Sequence, residues 1–154
     1  MAQLFDAKIP AVLITAYTSL DSNLGIRRYR QKIPVLRSRD EIEEPEELQR
    51  ALIESIWETK GNPPPARKPH RCFIRVVGLE KVGADTLVEV FVPDWSSRRA
   101  VSFPLDLVPA ELHPLVRVDE FLVAKVNINA ARPEDLYFSE FQIAPTVDSQ
   151  DGLA

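Results

Sequence analysis

Apolar and polar residues alternate most regularly in the second half of the chain. Between residues 121 and 128 every even position is apolar, namely Leu122, Ala124, Val126 and Ile128, while the odd positions include the polar residues Lys125 and Asn127. A period of two residues is typical of a strand with one buried face. The pattern therefore predicts a strand from Phe121 to Ile128.

The same half of the chain holds four further runs that are rich in β-branched and aromatic residues. They are residues 71–79, 86–92, 100–103 and 136–143. Turn residues at 81–85 separate the first two runs and predict a hairpin. Residues 93–99 have the composition of a polar loop. The uneven spacing of Phe138 and Phe141 predicts a bulge near residues 139–140 in the last strand.

These elements predict an α+β fold that is mainly β. Five short strands, with one helical turn at residues 109–112 before the fourth, are typical of a small barrel. We predict a five- to six-stranded SH3-like or OB-like barrel over residues 70–145, preceded by an N-terminal strand or arm and one amphipathic helix. The alternative is a two-layer arrangement in which that helix packs on the sheet.

The helix is predicted over residues 45–60. Pro45 suits the first helical position because its missing N–H would lack a partner there in any residue. Leu48, Leu52 and Ile56 recur at four-residue steps, flanked by further apolar residues, and form one apolar stripe. Gly61 is placed to end the helix in a left-handed conformation.

The residues before this helix are less regular. Residues 9–18 are rich in β-branched side chains and predict a strand, and residues 21–25 have the composition of a turn. The following segment, residues 26–36, is predicted to be an extended arm or a second strand.

A proline-rich segment predicts the main domain boundary. We assign residues 1–61 to a basic arm plus the helix, 62–69 to a stiff polyproline-type linker, 70–145 to the barrel and 146–154 to a flexible tail.

Composition narrows the class of protein. The chain has 154 residues and a net charge of −4, which provides no general attraction to nucleic acid or to an anionic membrane. A single cysteine is typical of a reducing compartment. We find neither a secretion signal in residues 1–8 nor an apolar run long enough to span a membrane. We therefore predict a cytoplasmic protein without a membrane partner.

No motif for catalysis, for a metal ion or for a cofactor stands out. His70 and Cys72 are two residues apart, but no second pair completes a metal site and no third group orients a nucleophile. Five scattered glycines cannot form a phosphate-binding loop. We therefore predict no catalytic, metal-binding or cofactor-binding residue and no enzyme activity.

Basic residues beside aromatic ones are the sharpest functional signal. Two such clusters, one on the N-terminal arm and one in the loop at 95–99, supply the predicted binding residues: Arg27, Arg28, Tyr29, Arg30, Lys32, Trp95, Arg98 and Arg99. For Trp95, an equally weighted alternative is that it only closes the end of the barrel.

Three functions remain in play. The favoured one is a non-catalytic adaptor or scaffold subunit that binds a protein partner, or a second copy of itself, through these two clusters. The alternative is an RNA- or DNA-binding barrel that uses Arg27, Arg28 and Arg30 with an aromatic side chain. The third is an enzyme built on Cys72 and His70. A continuous positive face around residues 27–39 would favour nucleic acid, and its neutralisation by the acidic run at 40–47 would favour the adaptor.

Overall fold

The computed structural model describes residues 1–16 and 24–145. The fold is α+β, and a five-stranded antiparallel sheet makes up most of it. The predicted tail at 146–154, the end of the first predicted strand at 17–18 and most of the predicted turn at 21–25 lie outside the described residues. No helix in the described ranges is long and apolar enough to cross a membrane.

The N-terminal region is built around two short parallel strands. Its elements are α1 (Ala2–Asp6), β1 (Val12–Thr15), α2 (Leu24–Tyr29), β2 (Val35–Ser38) and α3 (Pro45–Thr59). β1 and β2 pair side by side, with Val12 opposite Val35. The prediction of an extended segment at 26–36 is wrong for its first half, which forms α2 and a 3₁₀ turn. Two adjacent parallel strands need a crossover connection, and α2 lies within it.

Helix α3 confirms the predicted element and its ends. Pro45 occupies the first turn, and Gly61 follows the helix with a φ of +86°, a conformation that glycine adopts without strain. The packing face differs from the expectation. The fully buried residues are Ala51 and Ser55, and the Ser55 hydroxyl both donates to the carbonyl oxygen of Ala11 and accepts from its N–H, at 2.8 and 2.9 Å. The apolar stripe consequently faces outwards.

The large sheet contains the five strands that were predicted, with some changes in their ends. They are β3 (His70–Val82), β4 (Asp85–Val92), β5 (Ser96–Pro104), β6 (Phe121–Val126) and β7 (Phe138–Ile143). The order across the sheet is β5-β4-β3-β6-β7, and every neighbouring pair is antiparallel. A 3₁₀ helix at Ala110–Leu115 occupies the place of the predicted helical turn.

Two irregularities shape the ends of the sheet. The polar loop predicted at 93–99 is wrong in extent, because β5 already begins at Ser96 and only residues 93–95 form the turn. Residues 97–99 bulge out, since Val92 pairs with Ser96 while Phe91 pairs with Ala100. The bulge predicted in the last strand is confirmed by the shift of register opposite Ala124 and by the positive φ of Glu140.

The sheet has two edges, β5 and β7, and no hydrogen-bonded pairing closes it into a barrel within the described residues. The two edges nevertheless meet through side chains in the core. The ring of Phe103 on β5 lies 4.8 Å from that of Phe138 and 5.3 Å from that of Phe141, both on β7. Rings at these separations gain edge or offset contacts in addition to apolar burial.

The proline-rich segment does not act as a free-standing spacer. Residues Pro65–Arg67 form a 3₁₀ turn, and Arg67 is only 5% exposed. Its carbonyl oxygen accepts from the Tyr137 hydroxyl at 2.7 Å, and the carbonyl oxygen of Ala66 accepts from the Asn127 amide at 3.0 Å. The segment is therefore bonded to the residues that follow β6 and precede β7, whereas the division into domains stays a prediction.

Candidate binding surfaces

The two central arginines of the predicted basic arm lie inside the protein. Arg27 and Arg30 are 5% and 1% exposed. Arg27 donates to the carbonyl oxygens of Pro133 and Leu136 at 3.0 and 2.7 Å. Arg30 pairs with Asp135 at 3.0 Å and also donates to backbone carbonyls. Both guanidinium groups therefore fasten the N-terminal region to the segment before β7.

The other members of the arm stay at the surface. Arg28 pairs with Asp106 at 2.9 Å and with Asp85 at 3.3 Å, and Lys32 pairs with Asp6 at 2.9 Å. Tyr29 is 51% exposed. The charges of Arg28, Arg30 and Lys32 are thus balanced by aspartates outside the acidic run at 40–47.

Within that acidic run, Glu41 pairs with Arg132, which is not part of the basic arm. Its carboxylate accepts from Arg132 at 3.2 Å and from the N–H of Ser38 at 3.0 Å. Burial alone would raise the pKa of Glu41, but these bonds outweigh it and hold the pKa below its usual value. The acidic run at 40–47 therefore does not supply the carboxylates that pair with Arg28, Arg30 and Lys32, contrary to the neutralisation suggested from the sequence.

A buried ionic cluster joins the helix region to the sheet. Arg67 pairs with Glu58 at 3.0 Å and donates to the carbonyl oxygens of Arg30 and Gln31. Burial, and next to it the like charge of Arg67, lower the pKa of Arg30 to about 10. Burial also raises the pKa of Glu58, against the opposing charge of Arg67. Arg30 and Arg67 thus form ion pairs and hydrogen bonds inside the protein.

In the predicted cluster at 95–99, the tryptophan and the two arginines have different environments. Trp95 is half-buried against the core, and its indole N–H donates to the carbonyl oxygen of Ala130 at 2.8 Å. The guanidinium of Arg99 lies 5.2 Å from the centre of the indole ring, a cation–π distance. Arg98 and Arg99 are exposed on the bulge of edge strand β5. Trp95 therefore covers the end of the sheet while the two arginines remain accessible.

The sequence did not single out one surface, which we call the Phe–Arg face. It consists of outward-facing side chains on the adjacent strands β3 and β6: Arg71, Phe73, Arg75, Phe121 and Lys125. Register places Arg71 opposite Lys125 and Arg75 opposite Phe121. Phe73 and Phe121 are 49% and 47% exposed. The order Arg-Cys-Phe-Ile-Arg at 71–75 holds the signal, because its outward positions are basic and aromatic while Cys72 and Ile74 are buried.

Acidic side chains form ion pairs with two of the basic residues on this face. Arg75 pairs with Asp119 at 2.9 Å, and Lys125 pairs with Glu140 across to β7. The Arg71 guanidinium donates to the Gln142 side chain. The Phe–Arg face thus combines two accessible rings with oriented but largely balanced charges.

A second exposed apolar surface lies on α3. We call it the α3 stripe, and it comprises Leu52, Ile53, Ile56 and Trp57. These side chains are 42%, 45%, 37% and 56% exposed. A groove of about 770 Å³ runs beside Ile56 and is lined in part by Phe5 and Pro10. The apolar surface therefore continues from α3 towards α1.

A separate cleft of about 790 Å³ lies between α1, β1 and α2. Leu13, Ile26 and Ile33 line it together with two of the predicted binding residues, Tyr29 and Lys32. The cleft thus sets two members of the predicted arm beside a concave surface.

The proposed nucleophile is poorly placed for chemistry. Cys72 is 4% exposed, and burial, with a smaller effect of Asp94, raises the pKa of its thiol to about 11. The reactive thiolate is therefore scarce at neutral pH. His70 is exposed, with a ring nitrogen 3.4 Å from the Asn129 amide. Across residues 1–16 and 24–145, no three His, Cys, Asp or Glu side chains are grouped to hold a metal ion.

Comparisons with protein-family models, curated proteins and solved structures give no match. What the protein does is therefore inferred from its surfaces.

Proposed function

We propose that the protein is a non-catalytic adaptor or scaffold subunit whose Phe–Arg face binds a protein partner. The supporting observation is that Phe73 and Phe121 stay half exposed on two adjacent strands of the sheet, among basic side chains. Aromatic and arginine side chains are enriched in protein interfaces and dominate their binding energy. The complementary partner surface carries apolar side chains that cover the two rings.

The cluster at 95–99 belongs to the same sheet. Ala100 follows Arg99 and pairs with Phe91, which in turn pairs with Arg75 of the Phe–Arg face. Arg98 and Arg99 would therefore contact the outer part of a partner seated on that face. In this proposal Arg27 and Arg30 hold the fold together, while Tyr29 and Lys32 lie at the cleft beside α2, away from the Phe–Arg face.

A second candidate function, binding of single-stranded RNA or DNA, is favoured by the topology. We infer that residues 70–145 form a partly open OB-like barrel. The inference rests on the strand order β5-β4-β3-β6-β7, the 3₁₀ segments between β5 and β6, and the contact of Phe103 with Phe138 and Phe141. Barrels of this type include many oligonucleotide binders. Phe73 and Phe121 would then stack on bases, in place of Tyr29 or Trp95.

Charge favours the protein partner over nucleic acid. Arg27 and Arg30 are too deeply buried to reach a phosphate, and Arg75 and Lys125 already face carboxylates. The whole chain carries a net charge of −4. Affinity for nucleic acid arises mainly from the neutralisation of phosphates by basic side chains. Because Arg75 and Lys125 are already paired with acids, we expect weak binding.

The test compares variants that keep strand-forming side chains. In Phe73→Thr and Phe121→Thr the Phe–Arg face loses its rings, and Ile143→Thr is the control because Ile143 is exposed on the same sheet outside that face. Proteins that copurify with the tagged full chain are identified, purified and titrated by calorimetry. We expect the control to bind like the wild type and each Phe variant to bind at least ~10-fold more weakly.

The same variants are titrated with labelled single-stranded RNA and DNA at low and moderate salt. Binding that falls steeply with salt and depends on Phe73 would establish the nucleic-acid function instead. If neither protein nor nucleic acid binding responds to the two Phe substitutions, both proposals for this face are refuted.

A further inference from the structure

The α3 stripe leaves a large apolar surface exposed on one side of the helix. Its four side chains present roughly 400 Å² of apolar surface, which is in the range of functional patches on small proteins. The inward side of the helix is already occupied by Ala51 and Ser55. The stripe is therefore open to a partner on the opposite side.

Charges at the two ends of the exposed side indicate which partner fits. Glu46 precedes Ile53 by seven residues and Lys60 follows it by seven, and both are exposed. Seven residues are two helical turns to within about 20°, so Glu46, Ile53 and Lys60 lie along one line on the exposed side. The line is acidic at its start, apolar at its centre and basic at its end.

We propose that two copies of this chain pair through α3, antiparallel, about a two-fold axis beside Ile53. In this arrangement Ile53 meets its own copy, and Gln49 lies beside the partner's Trp57. Glu46 faces the partner's Lys60 at both ends. The same patch then serves on both subunits, as two-fold symmetry requires. In this arrangement the two helix dipoles are antiparallel, which also favours the pairing.

The exposed area sets the strength of this dimer. Stable interfaces bury about 800 Å² on each partner, about twice what the stripe alone presents. Phe5 and Pro10, beside Ile56, extend the contact without reaching a large obligate interface. The dimer is therefore weak and depends on protein concentration. The pairing is independent of the adaptor proposal, and it would display two Phe–Arg faces from one assembly.

The test is a charge exchange measured by sedimentation equilibrium of the full chain over a wide concentration range. The wild type should shift from the mass of one chain towards that of two. Ile53→Glu, which sets two carboxylates against each other on the axis, should abolish the shift. Glu46→Lys and Lys60→Glu should each weaken association at least ~10-fold at low salt, and the double variant should recover to within about threefold of the wild type.

The double variant separates pairing from a merely structural effect. Both substitutions oppose the helix dipole, so damage to the helix alone would make the double variant worse than either single one. Circular dichroism confirms that each variant is folded. A wild type that stays monomeric at the highest concentration overturns the proposal, and so does a double variant that fails to recover. Loss of a different protein partner on Ile53→Glu, in a chain that never dimerises, also overturns it.

Discussion

Replacing the buried Arg30 by methionine should strongly destabilise the protein. The substitution keeps an unbranched side chain in the space but removes the guanidinium. The Asp135 carboxylate then loses a partner at 3.0 Å, and the carbonyl oxygens of Glu134 and Ile33 lose their donors. Removing one member of a buried ion pair costs about 3–5 kcal/mol.

Two features of the structure place the effect at the lower end of that range. Arg132 still donates to Asp135 at 2.9 Å, so the carboxylate is not left alone. The variant also removes the repulsion between Arg30 and Arg67, which together with the larger effect of burial lowers the pKa of Arg30. We therefore expect a loss of about 3 kcal/mol, or a fall of about 1.5–2 M in the urea midpoint for a chain of this size.

Urea unfolding followed by circular dichroism measures this loss. Arg117→Met is the control, because the Arg117 side chain is 66% exposed and its bond to Glu120 is long, at 3.7 Å. The control should change the free energy of unfolding by less than ~0.5 kcal/mol. A change of that size in Arg30→Met as well would refute the view that the basic arm is an internal fastening.

Three further predictions concern the titrating and hydrogen-bonding groups of the same fold. Because the pKa of the buried Cys72 thiol is raised to about 11, the native protein at pH 8 should react with a thiol reagent at least ~10-fold more slowly than the urea-unfolded chain; equal rates would contradict the burial. The pKa of Asp135 is held low by Arg132 and Arg30 against the effect of burial, so its stabilisation is complete above about pH 4, the unfolded value, and is lost as pH falls further through the folded pKa. Urea midpoints measured from pH 6 to pH 2 should fall less in Asp135→Asn than in the wild type, and parallel curves would count against the assignment. Tyr137→Phe removes the hydroxyl bond to the Arg67 carbonyl and should cost about 1–3 kcal/mol by the same assay, whereas Tyr29→Phe, at an exposed ring, should be neutral.

Local patterns predicted most of the elements. Alternation located β6, turn residues located the β3–β4 hairpin, and the spacing of Phe138 and Phe141 located the bulge in β7. These features depend on neighbouring residues, which is why sequence reveals them. The bounds of α3 followed from Pro45 and Gly61 for the same reason.

The sequence-based predictions that failed concern features that depend on contacts between distant parts of the chain. The arginines at 27 and 30 have the composition of a nucleic-acid arm, and only the position of residues 133–136 shows that their acceptors are internal. The face of α3 was misjudged because small residues, Ala51 and Ser55, fill the narrow space against β1, leaving the larger apolar side chains outside. Phe73 was not recognised as a surface residue, because the pattern of residues 71–79 alone does not show which face of the strand is covered.

The bonds of Arg27 and Arg30 also set an order of events during synthesis. Their acceptors at Pro133, Glu134, Asp135 and Leu136 lie 104 to 109 residues further along the chain. The ribosome releases the chain from its amino-terminal end, so Arg27 and Arg30 cannot bond these acceptors until residues 133–136 have emerged. Contacts of such long sequence separation form slowly. The β3–β4 hairpin can fold well before this point, and docking of the amino-terminal region on the segment before β7 should therefore follow it in a nascent chain.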